Sequence, residues 1–506
     1  MTVRKCGRGS ESLPLVHNRH RISTLYVEPH SCLGGSIQRL LAGGGEEQVP
    51  DRLLSLSDVG TFGSGGYWQA VEILSERFSR RDLEKGKAMN KRHLWAIPVV
   101  VVLLIVSLGP VAAQSEPGLT SVEQLGKSIF FDETLSVNGN QSCASCHGPE
   151  VGWTGADSDI NAGGAVYEGS IAGRFGDRKP PSSAYATVSP IFHMDKKGLY
   201  IGGNFWDGRA TGERLGNPAA DQALGPFLNP MEQGLPDSAC VVYEVCAATT
   251  YAVSFEDVWG AGACDITWPA DVETVCATEG ATVVLSVSGR ADADMAYNNI
   301  GLSIAAYEAS PEVNAFSSKY DSNAKLTKEE KKGFALFQGK GGCKACHPST
   351  GPQALFTDFS FDNLGIPQNP DNPAGVAPGF VDPGLGGFLK NAGYADDVYE
   401  DEWGKVKVPT LRNVDLRPAE DFVKAYGHNG YFKSLEGIVH FYNTRDVKPT
   451  CPGAYTEAEA LAADCWPAPE VAENVNSDEL GDLGLTPDEE AAIVAFLKTL
   501  SDGYTP

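Results

Sequence analysis

Apolar and polar positions fall into helical spacing at four places along the chain. "LTSVEQLGKSIFF" begins at Leu119 and "LTKEEKKGFALFQ" at Leu326, and in each a threonine is followed three residues later by a glutamate, Thr120 to Glu123 and Thr327 to Glu330. That spacing is a capping box, in which the hydroxyl and the carboxylate each satisfy a backbone N–H at the start of a helix. Each stretch predicts a short amphipathic helix with a glycine inside it and aromatic or aliphatic residues near its end: Ile129, Phe130 and Phe131 in the first, Leu336 and Phe337 in the second. "MAYNNIGLSIAAYEAS" carries apolar residues at helical spacing and predicts a third helix. "LTPDEEAAIVAFLKTLS" predicts a fourth, with Thr486 as N-cap, Pro487 in the first turn and Glu489 closing the box. Gly and Pro dominate the stretches between, and strand signals are sparse, "VVLSV" near residue 283 being the one read as a short hairpin strand. The expected fold class is mainly α and loop-rich.

The first two helices run into the same five-residue motif. "CASCH" holds Cys143, Cys146 and His147, and "CKACH" holds Cys343, Cys346 and His347. A helix followed by Cys-x-x-Cys-His, met twice, predicts two homologous domains in tandem, 114–309 and 310–506, with "PEVNAFSSKYDSN" as the linker.

The front of the chain reads differently. From Met89, Lys91 and Arg92 precede an apolar run from Leu94 to Leu108 that ends in Val111-Ala112-Ala113. These are the three parts of a signal peptide, 89–113, and the run is short for a membrane span. Residues 1–88 are expected to be upstream sequence translated from an early start; the alternative is a cytoplasmic segment with an uncleaved anchor. From Gln114 onward there are 26 Lys and Arg against 55 Asp and Glu, a net charge of −29. Such acidity argues against nucleic-acid binding and suits a basic protein partner. The expected location is the periplasm, with no stable membrane span in the mature chain.

Ten cysteines follow Gln114. The six outside the repeated motif, Cys240, Cys246, Cys264, Cys276, Cys451 and Cys465, are an even number in an exported chain, so disulfides are expected. Proximity favours Cys451 with Cys465 and pairs within 240–276, but sequence leaves the pairing open. In each Cys-x-x-Cys-His the two thiols can form thioethers to the haem vinyl groups while the histidine becomes the proximal iron ligand. A redox pair would not need the histidine, and a Cys-only zinc site would need a second cysteine pair nearby. Two covalently bound haem c groups are therefore expected, with His147 on the N-terminal iron and His347 on the C-terminal iron. The mature chain has three methionines, Met194, Met231 and Met295, none of them after the second motif. The second haem consequently has no methionine in its own half, and the spare histidines are His193, His428 and His440.

With both motifs in place, the chain from 114 to 506 resembles the bacterial dihaem cytochrome c peroxidase and MauG superfamily. The resemblance rests also on "NFWDGRATG", "QALGPFLNPMEQ" and "KVPTLRNV" followed by "HNGYFKSLEGIVHFYNTRD". It implies that Glu232 is the distal acid of the N-terminal, peroxide-reacting haem, and a carboxylate beside an open iron face can take a proton from peroxide and return it to the leaving oxygen. Gln222 and Pro226 match other members of that distal pocket. Trp206 matches the tryptophan between the haems, where an indole shortens electron tunnelling and can hold a transient hole. Asp207 and Arg209 are expected to fix that loop or contact a propionate. The C-terminal haem is implied to be the electron-transfer centre.

Two departures matter. Two-state peroxidases carry a displaceable histidine before the segment aligned with "RKPPSSAY"; here "SIAGRFGDRKPP" has none, so the N-terminal haem is expected to keep an open face, with His193 the substitute to consider. Where peroxidases carry a methionine on the C-terminal haem, this chain has Tyr442, as MauG proteins have a tyrosine; His440 is the rival ligand, expected on another side of the same helix. The superfamily's interhaem calcium is left open, because Lys179 stands at the place of the usual Asn ligand and an ammonium there would repel the ion. The leading expectation is a periplasmic cytochrome-c peroxidase taking hydrogen peroxide and the electrons of a small c-type cytochrome or cupredoxin. The alternatives are a MauG-type enzyme that oxidises residues of a partner protein, and a non-catalytic dihaem electron carrier.

Overall fold

Helices and loops make up nearly all of the structure, a computed structural model that describes residues 118–248, 251–351, 353–374 and 379–505. The expected signal peptide and the stretch before it lie outside the described residues. Among these residues five helices reach ten residues or more: α1 (Ser121–Phe130), α2 (Val287–Ala309), α3 (Lys328–Gln338), α4 (Leu435–Thr444) and α5 (Pro487–Leu497). The capping boxes start α1, α3 and α5 where the sequence predicts. The N–H groups of Thr120, Thr327 and Thr486 donate to the glutamate three residues on at 2.6, 2.7 and 2.9 Å. The third predicted helix, α2, begins at Val287 rather than Met295. Its first two turns have no apolar stripe to betray them; they are held by the Ser286 cap and by an Arg290–Asp237 ion pair at 2.7 Å.

α1 lies against α2, and α3 against α5. In both pairs a glycine makes the close crossing possible: a Cβ at Gly126 would land on the Ser303 carbonyl of α2, and one at Gly333 on the Ala492 carbonyl of α5. Glycine costs a helix about 1 kcal/mol relative to alanine, so its presence in both helices marks the contact. Around the first pair a core gathers Leu125, Ile129 and Phe130 with Ile300, Ile304 and Tyr307. Around the second, Phe337, Phe441, Ile493 and Phe496 form another, and each phenylalanine so buried contributes roughly 1.5–3 kcal/mol. The segment read as a linker is tied into both: Val313 is buried in the first core and Tyr320 packs on the second. The fully buried Arg412 grips Asp321 with two bonds of 2.8 Å.

The expected strand at "VVLSV" is not formed. Residues 281–286 run without a ladder partner, because Val283 turns its N–H to the Asp237 carboxylate at 2.9 Å instead. The named strands among the described residues make two small antiparallel pairs, the hairpin of β1 (His193–Met194) with β2 (Tyr200–Ile201) and the long-range pair of β3 (Phe361–Asp362) with β4 (Val406–Lys407). Disulfides join Cys240 to Cys276, Cys246 to Cys264 and Cys451 to Cys465. Among the described residues no single helix is long and apolar enough to cross a membrane.

Candidate redox site

Each Cys-x-x-Cys-His folds as one tight turn. The His147 N–H returns to the Cys143 carbonyl at 3.0 Å, and the His347 N–H to that of Cys343 at 2.9 Å. The turn places both thiols and the imidazole on the wall of one cavity. His147 Nδ1 faces the Trp153 carbonyl at 3.1 Å and His347 Nδ1 that of Phe356 at 2.7 Å. A carbonyl only accepts, so Nδ1 carries the hydrogen and Nε2 keeps the lone pair an iron would use. Burial lowers His147 to about 4 and moves His347 the same way, which holds both rings neutral. The four motif cysteines are the ones left out of disulfides among the described residues.

The cavity beside His147 is lined by Glu232, Gln222, Pro226 and Trp206, four residues singled out from the sequence. Gln222 and Pro226 arrive on two short helical turns, Pro218–Ala223 and Gly225–Leu228, Glu232 on the loop that follows, and Trp206 on an earlier loop. Glu232 Oε2 accepts from Asn229 Nδ2 at 3.1 Å. Burial raises its pKa, against the pull of Asn229 and of the nearby Arg209 charge. His193 is exposed on β1 with Nδ1 on its own loop, at the Ile191 carbonyl, and does not line this cavity. Met231 does line it. Asp207 bonds both Arg178 and Arg209 at 2.7 Å, and Arg209 lies 3.8 Å over the Phe205 ring, so this pair shapes the loop that carries Trp206.

Trp206 is buried, and its ring forms part of the wall of both cavities. Its Nε1 donates to the Lys179 carbonyl at 2.8 Å. On the far side, the cavity beside His347 contains Tyr442. Burial, and then Cys343, Cys346 and Asp362, push the Tyr442 phenol upward, so a tyrosinate there needs a positive ion beside it. His440 of the same helix, α4, points elsewhere and bonds Glu490 at 3.1 Å. "KVPTLRNV" runs along this cavity and on toward His147.

The two halves are fastened beside Trp206 by buried charge. Arg178 holds Asp382 in a two-point bond (2.6 and 2.7 Å) and Asp207 with its remaining nitrogen. That guanidinium keeps the Asp382 carboxyl far below the usual carboxylate range against the cost of burial. A depressed folded pKa contributes stability that is present above the unfolded value of about 3.9 and is lost as pH falls through the folded value. Melting temperature is therefore expected to fall between about pH 4 and pH 2, and less steeply in Asp382→Asn. An equally steep fall in that variant would remove Asp382 from the account.

The walls also fit a large, partly polar ring compound. Gln141 Oε1, Gln233 Oε1 and Glu308 Oε2 have no protein partner, and all three residues border the first cavity; His428 Nδ1 is likewise unpartnered at the second. Buried polar atoms without partners are rare and call for a ligand or water. The sequence reading missed Glu308, a buried acid that burial pushes up to about 8. The signal was available, since Glu308 falls four residues after Ile304 on the apolar stripe of α2. It also missed Tyr167, which lines the first cavity, the half-buried Lys407 and the buried Lys424.

Two Cys-x-x-Cys-His turns on two cavities, with Trp206, Lys179 and Pro181 lining both, define a protein built to carry two haems. The family model for di-haem cytochrome c peroxidase matches residues 120–330. The methylamine utilization protein MauG of Paracoccus denitrificans is 33% identical over 413 residues, spanning 79% of this chain and 94% of its own. Cytochrome-c peroxidase IdrP1 of Denitromonas iodatirespirans is 26% identical over 412 residues, 78% of this chain and 85% of its own. The crystal structure of the diheme peroxidase BthA from Burkholderia thailandensis superposes with a TM-score of 0.58 at 28% identity, covering 76% of this chain and 86% of that one. The chain belongs to the dihaem cytochrome c peroxidase and MauG family.

Proposed function

We propose that this is an exported, periplasmic peroxidase with two covalently attached haems, reducing hydrogen peroxide in the N-terminal half, 114–309, with electrons received through the C-terminal half, 310–506. Cys143 and Cys146, and Cys343 and Cys346, would hold the haems, with His147 and His347 on the irons. When bound, the N-terminal haem supplies an iron that reacts with peroxide, and the C-terminal haem one that exchanges electrons with a partner. The observation that carries the reading is the Glu232 carboxylate on the same cavity as His147, with no second histidine on its walls among the described residues. Glu232 takes a proton from one peroxide oxygen and delivers it to the other, while Asn229 Nδ2 fixes the orientation of the carboxylate. Gln222 and Pro226 set the space beside it, and Trp206, which lines both cavities, gives an aromatic bridge between them. Tyr442 would offer its phenolic oxygen to the iron in the cavity that it lines with His347. Around Cys346 the carboxylates of Asp362 and Glu479 make an acidic rim, suited to a basic donor such as a small c-type cytochrome or a cupredoxin.

The experiment is steady-state: peroxide-dependent oxidation of a reduced small c-type cytochrome or cupredoxin is expected, and no turnover with either class of donor would sink the reading. Electron paramagnetic resonance of the ferric protein should give one high-spin and one low-spin haem. Tyr442→Phe should change the low-spin signal alone. A change in the high-spin signal instead would remove Tyr442 from the C-terminal iron. Met231→Leu should leave both unchanged.

A MauG-type reaction on a partner protein is the second reading. The 33% identity to a MauG over nearly all of that protein's length favours it. Peroxide treatment in the presence of the partner would then leave a covalently modified protein, which mass spectrometry detects.

A further inference from the structure

The family resemblance implies a calcium ion between the haems, and the chain's residues there do not fit one. Calcium takes about six to eight oxygen ligands at roughly 2.3–2.6 Å, carboxylates prominent among them. Here two buried ammonium groups stand beside the 151–154 segment that follows the first Cys-x-x-Cys-His. Lys179 Nζ, at the place of the usual Asn ligand, donates to Thr154 Oγ1 at 2.9 Å and to the Pro180 carbonyl at 3.0 Å. Lys424 Nζ donates to three carbonyls, those of Val151, Asn413 and Leu416, at 2.7, 2.9 and 2.8 Å. Burial lowers the pKa of both amines, Lys179 to about 8 and Lys424 well down from its ordinary value, but three carbonyl acceptors on Lys424 Nζ call for three hydrogens, which only the ammonium has.

Neither amine has a carboxylate partner among the described residues. A shell of neutral carbonyls gathered from separate segments is what a cation site looks like, and here the cation is tethered. Lys424 binds Val151 of the N-terminal half to Asn413 and Leu416 of the C-terminal half. Lys179 extends the tie through its backbone, its N–H donating to the His428 carbonyl at 2.8 Å and its own carbonyl receiving Trp206 Nε1 at 2.8 Å. A divalent ion brought close to both ammonium groups would meet their repulsion, and the Asp415 carboxylate, whose charge reaches Lys424, is already paired with Arg417 at 2.6 Å.

We propose that the chain supplies its own interhaem cation, Lys424 and Lys179 together standing where the resemblance places calcium, so that the two halves are joined without a metal. The test uses the haem-loaded protein. After exhaustive dialysis against EGTA, elemental analysis should find calcium at least tenfold below one per chain. The electron paramagnetic resonance spectrum and the melting temperature should be the same with EGTA as with added calcium chloride. One calcium per chain, or an EGTA effect that calcium reverses, overturns the proposal. The Lys179→Asn, Lys424→Gln double variant should acquire what its parent lacks, a melting temperature that rises when calcium chloride is added. A folded double variant that ignores calcium and melts like the parent also overturns it; if the variant does not fold, the calcium content of the parent decides.

Discussion

Glu232→Gln is expected to slow the reaction with hydrogen peroxide by roughly 10²–10⁴-fold, the range set by losing a positioned general acid–base group. Glutamine keeps the shape and can still face Asn229, so both haem spectra and the melting temperature should stay as they are. The pH profile gives the sharper readout. Burial raises the pKa of Glu232, and the ionised form is the one that accepts the first proton. The wild-type rate should therefore fall as pH drops through that raised value, and Glu232→Gln should lose the fall along with the rate. Stopped-flow mixing with peroxide measures both. A loss smaller than about tenfold would take the proton-transfer role from Glu232, and Glu308 on the same cavity would be the next acid to replace.

The second large effect is structural. Gly126→Ala and Gly333→Ala should each destabilise the haem-loaded protein by roughly 3 kcal/mol or more, even though alanine is the better helix former by about 1 kcal/mol. In each case the added methyl would occupy a backbone carbonyl of the neighbouring helix, Ser303 in one pair and Ala492 in the other. A carbonyl engaged in its own helix cannot swing aside, so α1 must lift off α2, or α3 off α5, and part of each aromatic core must open. Denaturant unfolding followed by circular dichroism and by haem absorbance measures the cost. Alanine at either position within about 0.5 kcal/mol of wild type would show that the helices can separate cheaply, contrary to overpacking.

The two glycines also show where sequence reading reaches and where it stops. The capping boxes at Thr120, Thr327 and Thr486 and the Cys-x-x-Cys-His turns were legible because each is a local device, complete within five residues and set by hydrogen bonds between near neighbours. The glycines were visible inside both helices, yet their reason was not, since it lies on another helix some 160 to 180 residues away. The early start of α2 escaped for a related cause: its first turns are held by Asp237, far back in the chain, and not by a stripe of their own. "VVLSV" has strand composition, but β-propensity is decided by partners, and here the available partner is a carboxylate.

The same division runs through the candidate site. Chain order and motif spacing by themselves determined the two Cys-x-x-Cys-His turns, the mainly helical fold, the even set of cysteines free to form disulfides and the acidic composition, because these depend on neighbours in sequence or on composition. Only the tertiary structure decided that Glu232 and His147 share one cavity, that Tyr442 and not His440 lines the cavity of His347, and that Trp206 is a wall of both cavities. It drew out Lys424, and Glu308 beyond the hint of its place on the apolar stripe of α2, since a buried ionisable group is recognised by the atoms around it. Those atoms come from segments that only folding brings within hydrogen-bond reach, where low polarity makes each such contact count.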